Sequence, residues 1–275
     1  MNNPLVRTRT IGVFDSGVGG LSVLKAIRLG HPTVNFIYIA DSGNAPYGGR
    51  PAEFIERRAS QIADALVEGG AEIIVVACNT ATAVAVEKLR SQLSIPVVAM
   101  EPAIKPAVGY TRTGVIGVLA TERTLESMAV KRLCREYGQG VNVLLQPCPG
   151  LVEMVERGEL STEPTRAYLR NLINPLIAQG ADTLVLGCTH YVFLEPEIRK
   201  IAGPGVEIVE SSEAVARQVI RHLGSERAPA LAKHTSQESF LTTGLPDHAE
   251  KIFSQLWGAP VEVRALETGN IRAHA

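Results

Sequence analysis

Two apolar segments of the chain end in the same way. "GGAEIIVVACNTA" begins at Gly69 and "QGADTLVLGCTHY" at Gln179; laid over one another at a constant offset, Gly70, Ala71, Glu72, Val75 and Cys78 fall on Gly180, Ala181, Asp182, Val185 and Cys188. At a slightly smaller offset, "IGVFDS" from Ile11 matches "IGVLAT" from Ile116. Two pairs of matching segments in the same order mark two halves built on one supersecondary plan. Short apolar runs bounded by Gly, Pro or Asp alternate with segments of helical period, the pattern of a parallel sheet covered on both faces. The spacing predicts strands at Ile11–Asp15, Asn35–Ala40, Ile73–Cys78 and Val97–Met100 in the first half. Gly114–Leu119, Val141–Gln146, Thr183–Cys188 and Glu207–Val209 follow in the second. With 275 residues, of which 45% are hydrophobic, the chain can bury two modest cores.

Beyond Val209 comes a helix, "SEAVARQVIRHL", then a polar stretch around "GSERAPALAKHTSQ" that reads as a surface linker. The remainder predicts a strand ("ESFLTTG"), a helix ("PDHAEKIFSQLWG") and a last strand ("VEVRAL"), too little to fold alone. The tail is therefore expected to return to the first half. The expected domains are 1–102 with 212–275, and 103–211, while "ETGNIRAHA" is expected to fray.

A net charge of −1 with scattered Lys and Arg supplies no basic stripe for a nucleic acid. No apolar h-region follows "MNNPLVRTRT", and the apolar runs are strand-sized, so neither export nor a membrane is expected and a cytoplasmic location is. Four widely spaced cysteines without an export signal read as reduced thiols. Neither CxxC nor HxxxH spacing occurs, so no metal site is expected.

Ligands of open parallel sheets bind at the carboxyl ends of the strands, and reactive groups recur there. Asp15-Ser16 ends the first strand, "ADSGNAPYGGR" the second and Cys78-Asn79-Thr80 the third. Thr121 and Thr124, then "CPGLVEMVERG" with Glu153 and Glu156, then Cys188-Thr189-His190 end the matching strands of the second half. If the halves meet edge to edge, these ends line one cleft.

Cys134, mid-helix in "KRLCREYG", reads as a small hydrophobe, and so does Cys148. Cys78 and Cys188 differ, because each stands where a strand hands over to a helix. A helix N-terminus favours a thiolate, and Thr80 is expected to cap the helix "ATAVAVEKLRSQL". Asp15 and His190 are the expected helpers of the thiols, with Glu156 orienting His190. "GVGGLS" is neither a dinucleotide fingerprint nor a P-loop; its glycines are expected to bring backbone amides to a small anion. "APYGGR" offers the Tyr47 hydroxyl and further amides. Ser16, Asn79, Thr80, Thr121 and Thr189 suit the carboxylates and ammonium of an amino acid.

Two thiols on opposite walls fit the removal of a proton from one face of a stereogenic carbon and its return to the other. A thiol hydrolase using Cys78, His190 and Asp15 is the alternative enzyme, though it would need only one cysteine. A two-lobed amino-acid-binding protein is the alternative without chemistry.

"GVFDSGVGG", "APYGGR", "VVACNTATA", "CPGLVEMVERG" and "LVLGCTHY" together resemble the glutamate racemases of the cofactor-independent aspartate/glutamate racemase family, over nearly the whole chain. The resemblance implies an α/β fold of two pseudo-symmetric flavodoxin-like domains with the active site between them. It also implies interconversion of L- and D-glutamate for peptidoglycan, no cofactor and a homodimer. It makes Cys78 and Cys188 the bases and has Asp15-Ser16, Pro46-Tyr47-Gly48, Asn79-Thr80 and Thr189-His190 bind substrate. Where many relatives read Val-Pro, this chain has Val152-Glu153, so two carboxylates compete for His190; spacing favours Glu156.

Overall fold

Apolar runs that cannot alternate faces must be buried on both, and the third strand of each half, "IIVV" and "TLVL", is buried at every position. The structure, a computed structural model, describes residues 9–223 and 236–266. The first half runs β1 (Thr10–Asp15), α1 (Leu21–Gly30), β2 (Asn35–Ala40), α2 (Ala52–Glu68), β3 (Ile73–Val76), α3 (Asn79–Gln92) and β4 (Val97–Ala99). After α4 (Ile104–Tyr110) come β5 (Val115–Ala120), α5 (Glu122–Glu126), α6 (Met128–Tyr137), β6 (Asn142–Pro147), α7 (Leu151–Glu156), α8 (Glu163–Ala178), β7 (Thr183–Leu186), α9 (Glu195–Ala202) and β8 (Glu207–Val209). The tail adds α10 (Ser212–Leu223), β9 (Glu238–Thr242), α11 (Pro246–Trp257) and β10 (Val263–Ala265).

Both sheets are parallel, with orders β10-β9-β2-β1-β3-β4 and β6-β5-β7-β8. Each half thus repeats the flavodoxin-like order 2-1-3-4, whose strand order reverses at its first strand. The crevices at β1/β3 and β5/β7 are the two switch points, and the repeated segments lead into them. The tail strands extend the first sheet, β9 pairing with β2 from Phe36↔Glu238 to Ala40↔Thr242. Among the described residues no helix is long and apolar enough to cross a membrane. The N-terminal leader, most of the polar linker and the final nine residues lie outside the described residues.

Helix packing explains the glycine shared by "IGVFDS" and "IGVLAT". A Cβ on Gly12 would lie 2.9 Å from Ala71 Cβ and 3.0 Å from Leu66 Cβ; one on Gly117 would lie 2.8 Å from Leu176 Cδ1. Helices α2 and α8 press Leu66 and Leu176 onto equivalent strands. Helix α2 buries Ile55, Ala59, Ile62, Ala63 and Leu66 on one face. Each such Ile or Leu contributes about 1.5–3 kcal/mol of burial.

Within the two halves most strand boundaries lie within a residue of those read in the sequence, and two differ by more. Strands β3 and β7 stop at Val76 and Leu186, two residues before each cysteine. Cys78 is extended at φ −138°, ψ 118°, and is itself the cap of α3, its sulfur accepting the Ala81 N–H at 3.4 Å. Thr80 lies inside α3 and caps nothing. Cys188 heads a 3-10 turn, Thr189–Leu194, rather than an α-helix.

Candidate active site

The ends of β1, β3, β5 and β7 converge on one small cavity. Ser16, Pro46, Tyr47, Gly48, Cys78, Asn79, Thr80, Thr121, Cys188 and His190 line it, together with Val152. Its volume is about 10 Å³, the space of about one water, so the two halves stand closed on each other. Asp15, Thr124, Thr189 and Glu156 lie behind this lining. The structure therefore gathers these candidates into a lining and a layer behind it, and leaves Glu153 outside.

Each thiol has its own proton route. Cys78 Sγ donates to Ser16 Oγ at 3.7 Å, and Ser16 Oγ donates to Asp15 Oδ1 at 3.0 Å. Cys188 Sγ lies 3.8 Å from His190 Nδ1, whose Nε2 is 2.6 Å from Glu156 Oε1. The two thiols come from equivalent positions in the two halves, but their partners do not: Asp15 and Ser16 stand at the end of the first strand of one half, while His190 follows the third strand of the other and Glu156 ends α7. His190 serves Cys188, so Cys78, His190 and Asp15 form no hydrogen-bonded triad.

Burial and neighbours set the protonation of both routes. Burial pushes the Cys78 thiol far above its ordinary value, the charge of Asp15 adds to this, and the Ala81 N–H only partly offsets it. The helix N-terminus expected to favour a thiolate is present but loses to desolvation. Burial also raises Asp15, against the opposing influence of His190 and of hydrogen bonds from Thr189 and Ser16. For His190 burial disfavours the charge, yet hydrogen bonds to Cys188 and Glu156, with the charges of Cys188 and Asp15, outweigh it and hold the imidazole well above its usual range.

Three contacts tie the halves together around the cavity. Thr189 Oγ1 donates to Asp15 Oδ2 at 2.8 Å; Thr80 Oγ1 lies 2.9 Å from Thr121 Oγ1 and 3.2 Å from Thr124 Oγ1; and Glu156 receives the Val18 N–H at 2.7 Å and the Ser42 hydroxyl at 3.3 Å. The backbone amide of "GVGGLS" does meet an anion. That anion is the protein's own Glu156 carboxylate.

The glycines flanking Val18 make this approach possible. A Cβ on Gly17 would strike the Glu156 carboxylate, and one on Gly19 would strike His190 Nδ1 and Thr189 Oγ1. We expect Gly19→Ala to lower kcat/KM by about 10²-fold through misplacement of His190, with the melting temperature changed by only a few degrees; steady-state kinetics beside thermal unfolding check this.

One further side chain departs from its expected use. The Tyr47 hydroxyl donates to Asp41 Oδ2 at 2.6 Å, so its ring lines the cavity while its oxygen is engaged behind it. Glu153 is half-buried beside a neighbouring cavity and Glu156 is the carboxylate on His190. Cys148 is buried, its thiol donating to Gln146 O at 3.3 Å, while Cys134 is only half-buried on α6. Val152, Ser42 and the Val18 amide were not legible as site groups; Ser42 sits within the quoted "ADSGNAPYGGR", but its partner Glu156 is far away in sequence. Among the described residues no group of three or more His, Cys, Asp or Glu is placed to hold a metal.

The chain as a whole is similar to known proteins. The Asp/Glu/hydantoin racemase family model matches residues 23–219. A glutamate racemase of Pseudomonas aeruginosa is 46% identical over 262 residues, covering 95% of this chain and 98% of that protein. The Escherichia coli glutamate racemase, solved with L-glutamate and the activator UDP-MurNAc-ala, superposes with a TM-score of 0.84 at 32% identity, covering 94% of this chain and 98% of that one. The Francisella tularensis enzyme, solved with D-glutamate, gives 0.81 at 26% identity over 94% of this chain and 98% of that one. With two flavodoxin-like halves, a thiol from each at one cavity and relatives matched from end to end, the chain belongs to the Asp/Glu/hydantoin racemase family.

Proposed function

We propose that this protein interconverts L- and D-glutamate by passing the α-proton between Cys78 and Cys188, without a cofactor. The observation that carries the reading is the pair of thiols, from equivalent points of a repeated fold, at a single cavity with separate proton routes. The end-to-end similarity to glutamate racemases, and neighbours solved with each enantiomer, support glutamate as the substrate. The product D-glutamate would supply peptidoglycan synthesis, and the family resemblance supports a cytoplasmic homodimer.

The reaction begins with the halves parting, since about 10 Å³ cannot hold glutamate. Closing again expels water and restores the contacts of Thr80, Thr189 and Glu156 across the cleft. One cysteine, as thiolate, takes the α-proton and becomes a thiol; the carbanion takes a proton from the opposite thiol, which becomes the thiolate. Turnover therefore moves the negative charge from one wall to the other, and either Asp15-Ser16 or His190-Glu156 must accommodate it. Asn79 has both amide heteroatoms buried without a partner among the described residues. Its Oδ1 would accept from the substrate ammonium or its Nδ2 donate to a carboxylate, repaying a desolvation cost of about 1–3 kcal/mol.

Incubation of the protein with L-glutamate, with nothing added, tests the reading: optical rotation should decay to zero, and unchanged rotation would overturn it. Cys134→Ala, remote from the cavity and half-buried, is expected to leave kcat and KM within about twofold of the parent. The same polarimetric assay reads both.

A further inference from the structure

Asp41 is buried completely and stands next to Asp15 in the sheet, its N–H donating to Asp15 O at 3.0 Å, yet it does not line the cavity. Its carboxylate receives five hydrogen bonds. Arg58 of α2 donates through Nε at 3.0 Å and a terminal nitrogen at 2.7 Å, Tyr47 through its hydroxyl at 2.6 Å, Asn44 through Nδ2 at 3.0 Å and Thr243 through Oγ1 at 2.7 Å. A buried carboxylate needs such a set, and the two-pronged Arg58 supplies both geometry and countercharge. Held in return by the same anion, Arg58 binds its proton more tightly than an ordinary arginine despite its own partial burial.

The donors other than Arg58 belong to three further parts of the molecule. Tyr47 is the centre of the Pro46–Gly48 loop lining the cavity. Asn44 closes the 3-10 turn Ser42–Asn44, whose Ser42 hydroxyl reaches Glu156, the partner of His190. Thr243 directly follows tail strand β9, and its hydroxyl also accepts the Gly43 N–H at 3.1 Å. A single anion thus fixes the loop on one side of the cavity, braces the turn that reaches the His190 route on the other, and fastens both to a strand about 200 residues later in the chain.

We infer that Asp41, with Arg58 and Thr243, is the positioning residue of the substrate loop, and that the returning tail is a working part of the glutamate site through it. The inference rests on the glutamate reading above. Asp41 touches neither reacting thiol, so its loss should act on how substrate is held before it acts on proton transfer.

Thr243→Val and Tyr47→Phe each remove one donor and leave the Asp41–Arg58 pair, whereas Asp41→Ala would strip Arg58 of its carboxylate and put the fold itself at risk. Racemisation is measured from both L- and D-glutamate, with thermal unfolding in parallel. Both variants should raise KM by about tenfold for both enantiomers, the effect of losing one hydrogen bond to a charged group, while kcat falls no more than about threefold. Arg58→Lys keeps the charge without the fork and should lie between parent and Arg58→Ala in KM. Wild-type turnover in the same assay carries the underlying reading, and its absence would sink that reading first. With wild-type turnover present, an unchanged KM in both single-donor variants would overturn the positioning role, as would a drop in kcat at constant KM that tracks lost thermal stability.

Discussion

Cys78→Ala and Cys188→Ala should each lower racemisation in both directions by about 10³-fold or more, near the upper part of the range for a positioned proton-transfer group. Neither loss should come from unfolding, because each sulfur borders a small cavity that its removal only enlarges. The two variants should differ in what they retain. Each keeps one thiol, and therefore one half of the exchange: it can still take the α-proton from the enantiomer that presents it to the remaining wall, but has no group opposite to return one. Slow α-proton exchange of one enantiomer by Cys78→Ala and of the other by Cys188→Ala, measured by proton NMR in deuterated water beside polarimetry, is the expected pattern. Full turnover by either variant would remove the two-base assignment.

Glu156→Gln is expected to be the next most damaging change outside the thiols. The amide keeps an oxygen for the Val18 N–H and for His190 Nε2, so the cross-cleft contact can survive while the negative charge is lost. His190 holds its proton well above the usual imidazole range, and Glu156 is one of the causes. A group with a raised pKa is protonated below that value and loses its proton as pH rises through it. Removing the carboxylate charge brings that point down, so the alkaline limb of kcat/KM should move to lower pH, with activity about 10²-fold below the parent above neutrality. The acidic limb, which does not depend on this group, should move less. A full pH profile checks this, and an alkaline limb that stays in place would show that His190 does not serve Cys188 as an imidazolium.

How much of this could be read in the sequence depends on how local each determinant is. The strands were legible because a parallel sheet buried on both faces writes itself as uninterrupted apolar runs, and the repeat made the second half a copy of the first. Strand ends were less so. "IIVVAC" offers no break before Cys78, because Ala77 still donates to Phe14 O after the regular pairing has ended. That one bond carries the chain past Val76, so Cys78 rather than Thr80 became the cap.

The lining of the cavity was legible for the same reason that switch points are: strand ends carrying Cys, Asp, Ser, Thr and His have few other uses. The layer behind it was not. Val18 meets Glu156 through a backbone amide, which has no sequence signature, and Asp41 finds Thr243 only because β9 returns beside β2. The sense of the electrostatics was also hidden. A cysteine at a helix N-terminus reads as a thiolate, whereas burial beside Asp15 keeps the proton on Cys78.

The most direct test of two opposed thiols is the fate of deuterium at the first turnovers. The protein is given L-glutamate in deuterated water, the reaction is stopped at a few per cent conversion, and each enantiomer is isolated and its α-position examined by mass spectrometry. Two bases on opposite faces predict deuterium in nearly all of the D-glutamate formed and almost none in the L-glutamate left, and the mirror result when D-glutamate is supplied. Equal labelling of recovered substrate and product in both directions would mean that one group serves both faces, and would contradict the account.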